Sequence, residues 1–386
     1  MRQKEIVVIG GGAAGLTASI FAAKAGARVK VLEKEKKAGM KLLRTGSGRC
    51  NLSNVSVTPG KYEERGRDFA AAVTEAFSLE QTLAFFRGIG VFTREIDGYI
   101  YPFNEEAASV LTALRTCAET LGVSIRQNEP VLDILSSDGF LKVRSGGWEY
   151  RADAVICAAG SPAGIKDGTA GILPVLERLG HHIYPFFPAL SSLQVLPSVK
   201  PLAGVRARGK VTLLTDGSPS ASESGQIQFT ERGISGICVM NLSARALSAL
   251  REGRRTELSI DFMPDGAPDS KEIQKGAVSL LPSKIRSFLL KSGIKEADVI
   301  NDFRFEVTGS PGLAASQAAY GGVDTREVSS GTLQSLIVPG LYLAGEILDV
   351  TGLCGGMNLQ FAWSSGALAG MHAGDDACIG FPYSVE

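Results

Sequence analysis

Gly10-Gly11-Gly12-Ala13-Ala14-Gly15 is a G-x-G-x-x-G turn, and Glu33 closes the apolar run that follows it. These residue types at this spacing suit the binding of a dinucleotide. Gly10 allows a tight turn, Gly12 lets the backbone approach a pyrophosphate, and Gly15 lets a helix pack closely on a sheet. The phosphate charge then lies against a helix N-terminus, where unpaired N–H groups and the dipole favour an anion. Glu33 is placed to accept from ribose hydroxyls and disfavours a 2′-phosphate. Lys34 beside it and Val131 further on join the candidate cofactor contacts.

The elements that must position this turn are legible around it. Lys4 to Ile9 is a short apolar run of the kind that forms a buried parallel strand. Ala14 to Ala25 is alanine-rich without a breaker, Gly26 stands at the expected helix C-cap, and Arg28 to Leu32 reads as a second strand. This strand, helix, strand unit leaves FAD and NAD open.

Three further segments favour flavin. Lys41 to Asn54 alternates small residues with donors, with Lys41, Arg44, Thr45, Gly48, Arg49, Cys50 and Asn51 as candidate contacts along a pyrophosphate, a ribityl chain and a ring. Ala152 to Gly160 is a strand running into a small-residue turn and resembles the D-x-V-I-x-A-x-G stretch of two-dinucleotide-fold flavoproteins, which implies that Ala159 and Gly160 pass beneath the cofactor. Leu341 to Glu346 repeats that theme: Gly345 and Glu346 stand where a carboxylate would bind ribityl hydroxyls, and Asp349 is a second candidate. Gly355-Gly356-Met357-Asn358-Leu359 then opens a helix expected to run to about Met371. Its N-terminus, with Gly356, Met357, Asn358 and Leu359, would stabilise negative charge at a reduced flavin ring.

Bulk composition limits the alternatives. The chain has 386 residues, enough for two or three domains around a large cofactor, and 40 Lys+Arg balance 40 Asp+Glu. Neutrality argues against a general nucleic-acid binder. The six cysteines lack any C-x-x-C pair or ligand spacing with the three histidines, so neither a zinc site nor a disulfide framework is expected. No apolar run is long enough for a membrane span, and a strand beginning near Met1 leaves no room for a signal segment. A cytoplasmic protein with reduced thiols is the expectation.

The motifs together resemble one group, the bacterial NAD(P)/FAD-dependent oxidoreductases that include aminoacetone oxidases and 3-dehydro-bile-acid delta-4,6-reductases. The resemblance covers nearly the whole chain. It rests on Thr45 to Asn54, Tyr101-Pro102-Phe103, Gly233 to Gly236, Gly321-Gly322-Val323 and Gly345 to Gln360. It implies an α/β fold, a Rossmann-like FAD domain of the two-dinucleotide type interrupted by a β-rich domain with a small helical piece, and a substrate bound between them. The expected boundaries are 1–190 and 322–386 for the FAD domain and 191–321 for a barrel-like insert, with its helical part at about 268–300. Cys354 and Met357 depart from the group's pattern, on the side of the ring expected to face substrate.

Within the insert, Leu193 to Leu196, Lys210 to Leu214, Gln226 to Thr230 and Glu257 to Phe262 read as short strands. Lys271 to Ser292 reads as helix broken in two by Pro282. Phe69 to Gly122 reads as mostly helical, with Tyr99 and Tyr101 in a turn before Pro102. His181 and His182 are expected in a loop and His372 at a helix end.

The chemistry expected is hydride transfer through flavin N5 with no protein nucleophile. The reductive version saturates the double bond of an enone in a small apolar or steroid-like molecule, with NADH or NADPH as transient reductant. The oxidative version takes hydride from the carbon beside the amine of a small aminoketone, with oxygen as acceptor. A single G-x-G-x-x-G means that a nicotinamide would visit the flavin rather than occupy its own domain. Rivals of another kind are a flavin-dependent tRNA-modifying protein and a flavin-binding protein without turnover. No catalytic residue and no oligomeric state is assigned by the sequence.

Overall fold

In the computed structural model, residues 2–137, 139–165, 171–266 and 280–375 are described. The chain divides into two compact units, Met1–Phe186 with Tyr320–Glu386, and Phe187–Ala319.

The first unit is built on a five-stranded sheet whose order is Leu341–Leu343, Ala154–Cys157, Glu5–Ile9, Arg28–Leu32 and Ser124–Arg126. Every neighbouring pair in it is parallel. Its strands read as continuous Val, Ile and Leu because helices cover them; Val8, Val31, Val155, Ile156 and Leu343 have no more than traces of exposure. The first helix, Ala13–Lys24, lies against the last, Met357–Gly374. The glycines of the last helix make that approach possible. A Cβ at Gly366 would stand 2.5 Å from the Ala14 carbonyl oxygen, and one at Gly370 would stand 2.3 Å from that of Ala18. Trp363, fully buried, anchors the other side of this helix by donating to the Leu52 carbonyl at 3.0 Å and meeting Phe86 edge-on.

The segment from Phe69 to Gly122 is less helical than its composition implies. Helices Phe69–Ala76, Leu79–Gly88 and Ala107–Thr120 are interrupted by strands Thr93–Ile96 and Tyr99–Pro102. Tyr99 and Tyr101 therefore stand on a strand rather than in a turn. Alternation explains it: Ile100 turns into the core while the two tyrosines share the opposite face. Pro102 is tolerated because it is the strand's last residue.

The second unit is a six-stranded antiparallel sheet ordered Gln194–Leu196, Phe303–Gly309, Thr256–Asp261, Arg206–Thr215, Ser218–Thr230 and Gly233–Ser235. Leu193 and Ile234 exchange backbone hydrogen bonds of 2.9 and 2.8 Å, so the first and last strands meet and the sheet closes on itself. Helix Ile237–Arg251 packs on it. Pro282 is the N-cap of helix Ser283–Lys291, the second half of the broken helix expected there. The first half lies outside the described residues.

Candidate functional site

The parallel sheet delivers the chemistry-bearing turns to one edge. Ile9 is in register with both Leu32 and Cys157, and Cys157 with Leu343. Gly10, Glu33, Ala158 and Ala344 therefore leave the sheet side by side. From the central strand Glu5–Ile9 the chain winds first to one side and later to the other, and ligands of open α/β sheets bind outside the carboxyl ends at such a reversal.

The turn itself has the shape that a dinucleotide phosphate requires. Gly10 has φ +95°, and a Cβ on it would be 2.5 Å from the Ala158 carbonyl oxygen. A Cβ on Gly15 would be 1.9 Å from the Gly10 carbonyl oxygen. These two glycines are fixed by protein backbone. Gly12 differs, because a Cβ there meets nothing within 4 Å. It is the N-cap of the first helix and no side chain caps that end, so the helix terminus keeps its orphan N–H groups and the positive end of its dipole. Ala13 and Ala14 add no bulk to that turn.

Glu33 is pinned against the same turn. Its Oε2 accepts from the Gly11 N–H at 2.7 Å and its Oε1 from the Glu35 N–H at 2.8 Å. The Glu33 carbonyl accepts from Glu129 N–H at 2.8 Å, which brings Val131, the first residue of strand Val131–Ser137, to the same end. Lys34 is exposed beside them.

The Lys41 to Asn54 segment lies along the other turns. Leu42–Gly48 is a distorted 3-10 turn with Gly46 and Ser47 left-handed. Lys41 pairs with Glu346 and approaches Ser161 Oγ at 3.3 Å, while Arg44 donates to the Gly164 carbonyl at 2.6 Å. Thr45 Oγ1 donates to the Leu42 carbonyl at 2.6 Å. Gly48 and Gly160 both have positive φ, and among the described residues nothing stands within 4 Å of a Cβ at Gly160; Ala159 packs against Gly10. Gly345, at φ +73°, lies against Ala14, joining the ribityl-side turn to the first helix.

At the far end Gly356 caps the last helix with φ +97°, and a Cβ there would fall 2.5 Å from the Ser53 carbonyl. Asn54 Nδ2 donates to the Gly355 carbonyl at 3.1 Å. Asn358 binds the backbone of Gly352 twice, at 2.8 Å each, so its side chain is spent on holding this turn. Leu359 is partly buried against the core.

Five residues expected at the cofactor have protein partners or core packing in the structure. Asp349 is 1% exposed, and its carboxylate accepts from Arg65 Nη1 at 2.8 and 2.9 Å and from Gly321 N–H at 3.1 Å. In the structure its carboxylate serves that guanidinium and that backbone N–H. Burial holds its acid form up even so, with Arg65 pulling the other way. Arg49 pairs with Glu105 and stacks 4.3 Å over the Tyr101 ring. Met357, expected toward substrate, is 2% exposed and packs in the core, its carbonyl accepting from Tyr62 Oη at 3.2 Å. Cys50 is buried with its thiol pushed up to about 12, and Asn51 spends its amide on the Ser53 carbonyl, so both brace the segment from within. Cys354 stays half-buried near Tyr99, whose ring lies 2.8 Å from where a Gly355 Cβ would be.

The sequence reading missed Arg65 and Ser161, which no motif flags, and the glycines of the last helix, whose four-residue spacing was readable. His181, expected as a plain loop residue, is buried between Glu327 Oε2 at 3.1 Å and Ser335 Oγ at 2.9 Å.

A family model described as HI0933-like protein Rossmann domain matches residues 4–372. The chain belongs to this family. The 3-dehydro-bile acid delta(4,6)-reductase of Clostridium scindens is 36% identical over 97% of this chain and 100% of its own length. The ribosomal RNA dihydrouridine synthase of Escherichia coli K12 is 27% identical over 95% of this chain and 96% of its own length. Among solved structures, the 3-ketosteroid-delta4-(5alpha)-dehydrogenase of Rhodococcus jostii RHA1 shares the fold at a TM-score of 0.50 and 16% identity, covering 97% of this chain and 98% of the other. The chain is an FAD-dependent oxidoreductase of this family. Among the described residues no helix is long and apolar enough to cross a membrane.

Proposed function

We propose that this enzyme saturates a carbon–carbon double bond conjugated to a carbonyl, in a small apolar or steroid-like molecule, with NADH or NADPH as the transient reductant. The observation that carries the reading is the 36% identity, from end to end, to a protein named as a bile acid delta(4,6)-reductase. FAD supplies hydride transfer through N5 when bound.

The protein's own residues do the rest. The N-terminus of Ala13–Lys24 would hold the pyrophosphate, with Gly12 giving it room, and Glu33 the adenosine ribose. Lys41 and Glu346 would meet the ribityl side as a pair, so that Lys41 orients the carboxylate. The N-terminus of Met357–Gly374, capped by Gly356, would stabilise negative charge at the ring. Lys34, Arg44, Thr45, Gly48, Val131, Ala159 and Gly160 would line the path between.

A second reading has its own support, the ribosomal RNA dihydrouridine synthases at 27% and 28% identity. Dihydrouridine is uridine saturated at a bond conjugated to a carbonyl, so the reduction is chemically the same and the substrate differs. The balance of 40 basic against 40 acidic residues favours the small molecule.

The test is anaerobic. NADH or NADPH should bleach the flavin band, and a 3-oxo-4,6-diene steroid should restore it. Restoration by uridine-containing RNA alone would transfer the reading to the nucleobase. Bleaching by an aminoketone, with no response to enone or nicotinamide, would replace it with the oxidase.

A further inference from the structure

Arg65 is held by a buried carboxylate and two aromatic rings, and the assigned chemistry leaves it without a task. It follows strand Tyr62–Glu64, which pairs with Val350–Gly352 just before the glycine turn of the last helix. Its guanidinium carbon lies 4.0 Å from the centre of the Tyr184 ring and 4.6 Å from that of Tyr320, so two aromatic rings hold it by cation–π contact. Its Nη1 is taken by both oxygens of buried Asp349. The edge formed by Nε and Nη2 has no partner among the described residues, and the side chain retains 32% exposure.

Tyr184 is itself held. Its hydroxyl donates to Asp324 Oδ2 at 3.3 Å and accepts from Arg326 Nη2 at 2.9 Å. The His182 ring meets it edge-on at 4.6 Å between centroids. A surface arginine that served only solubility would not need a buried carboxylate, two aromatic walls and a second arginine to fix one of its walls. With Nη1 held by Asp349, the Nε and Nη2 N–H groups remain as a parallel pair on a partly exposed side chain, the geometry that matches a planar carboxylate bidentately.

We propose that the Nε–Nη2 edge of Arg65 is a carboxylate-binding site, and that it anchors the acid group of the substrate. The second clause rests on the enone-reductase reading; the first stands without it. Asp349 is then a positioning residue that sets the angle of the fork.

The test uses the FAD-loaded enzyme and two probes, 3-oxochola-4,6-dien-24-oate and its methyl ester, with binding followed by fluorescence titration. The wild type should prefer the acid by about tenfold or more, as two charge-assisted hydrogen bonds warrant. Arg65→Ala should lose the preference while binding the ester as before. Should that variant fail to fold, because Asp349 is left unpaired, Arg65→Lys decides. Lysine can keep the Asp349 pair but has no second edge, so most of the preference should vanish at an unchanged melting temperature. A preference in Arg65→Lys equal to wild type overturns the proposal. Benzoate separates the two claims. If wild type binds neither steroid but binds benzoate, and Arg65→Lys does not, the carboxylate site stands and the steroid reading falls. If the variants bind benzoate and both steroids as wild type does, or wild type binds none of the three, there is no site at Arg65.

Discussion

The two ends of the candidate cofactor site are built on different principles. At the nucleotide end the fit is made by backbone: Gly10 and Gly15 lie against carbonyl oxygens, and the Glu33 carboxylate binds the backbone N–H groups of Gly11 and Glu35. Toward the other end side chains hold the turns, as with Lys41 to Glu346 and Asn358 to Gly352, and the neighbouring Arg65 to Asp349 pair is built the same way. A backbone site needs particular residues at fixed spacing along the chain. A side-chain site needs only that two distant segments meet, so its parts can change in pairs.

The largest effect should come from breaking the backbone end. Gly15→Val places a Cβ 1.9 Å from the Gly10 carbonyl oxygen, and the neighbour is main chain that cannot step aside. We expect at least about 3 kcal/mol of destabilisation, read by chemical denaturation, and loss of FAD from the purified protein. Gly12→Ala sharpens the same point. Nothing stands within 4 Å of its new methyl, so stability should change by less than about 1 kcal/mol, while FAD affinity falls about tenfold or more. Equal FAD affinity in Gly12→Ala and wild type would mean that the phosphate does not approach here.

Next in size is the side-chain end. Asp349→Asn keeps the shape but removes the charge opposite Arg65. Because Arg65 is partly exposed, the expected cost is about 2 kcal/mol, below that of breaking a fully buried pair. FAD content should hold, in contrast to Gly15→Val; an apoprotein from Asp349→Asn would return Asp349 to the cofactor. Glu33→Gln should be milder for the fold and harsher for the cofactor. The amide oxygen can keep the Gly11 contact, but the ribose loses a charged acceptor, and FAD should bind about tenfold more weakly.

The same contrast explains what was legible in the sequence. Strand Arg28–Leu32 was read to the residue, and the start and stop of the first helix nearly so, because Gly10, Gly15 and Gly26 each mark a backbone constraint. Glu33 was placed by its distance from that turn. The pairing of Asp349 with Arg65 was not legible because a carboxylate near Gly345 looks the same whether it faces a ribityl chain or an arginine about 280 positions away in sequence. Met357 was expected toward substrate because it departs from the group's pattern in the ring-side loop; its side chain packs in the core. The tyrosine strand was hidden between helices because four residues are too few to show a period of two.

The smallest expected effect concerns a carboxylate between the two ends. Glu64, in strand Tyr62–Glu64, accepts from the Ala70 N–H at 3.0 Å at the start of helix Phe69–Ala76. Burial pushes its acid up to about 7, against backbone donors that pull it down, with Asp68 and Asp349 adding repulsion. A carboxyl group whose affinity for protons is higher in the folded state than in the unfolded one stabilises the fold when protonated. Its contribution is full below the ordinary value of 4.5 and is lost as pH rises through about 7. Glu64→Gln should therefore raise the melting temperature at pH 8 by about a few degrees and change it little at pH 5. The gain is limited because the neutral amide accepts less strongly from the helix terminus. A melting temperature that falls at pH 8 would show that capping this helix outweighs the burial of the charge.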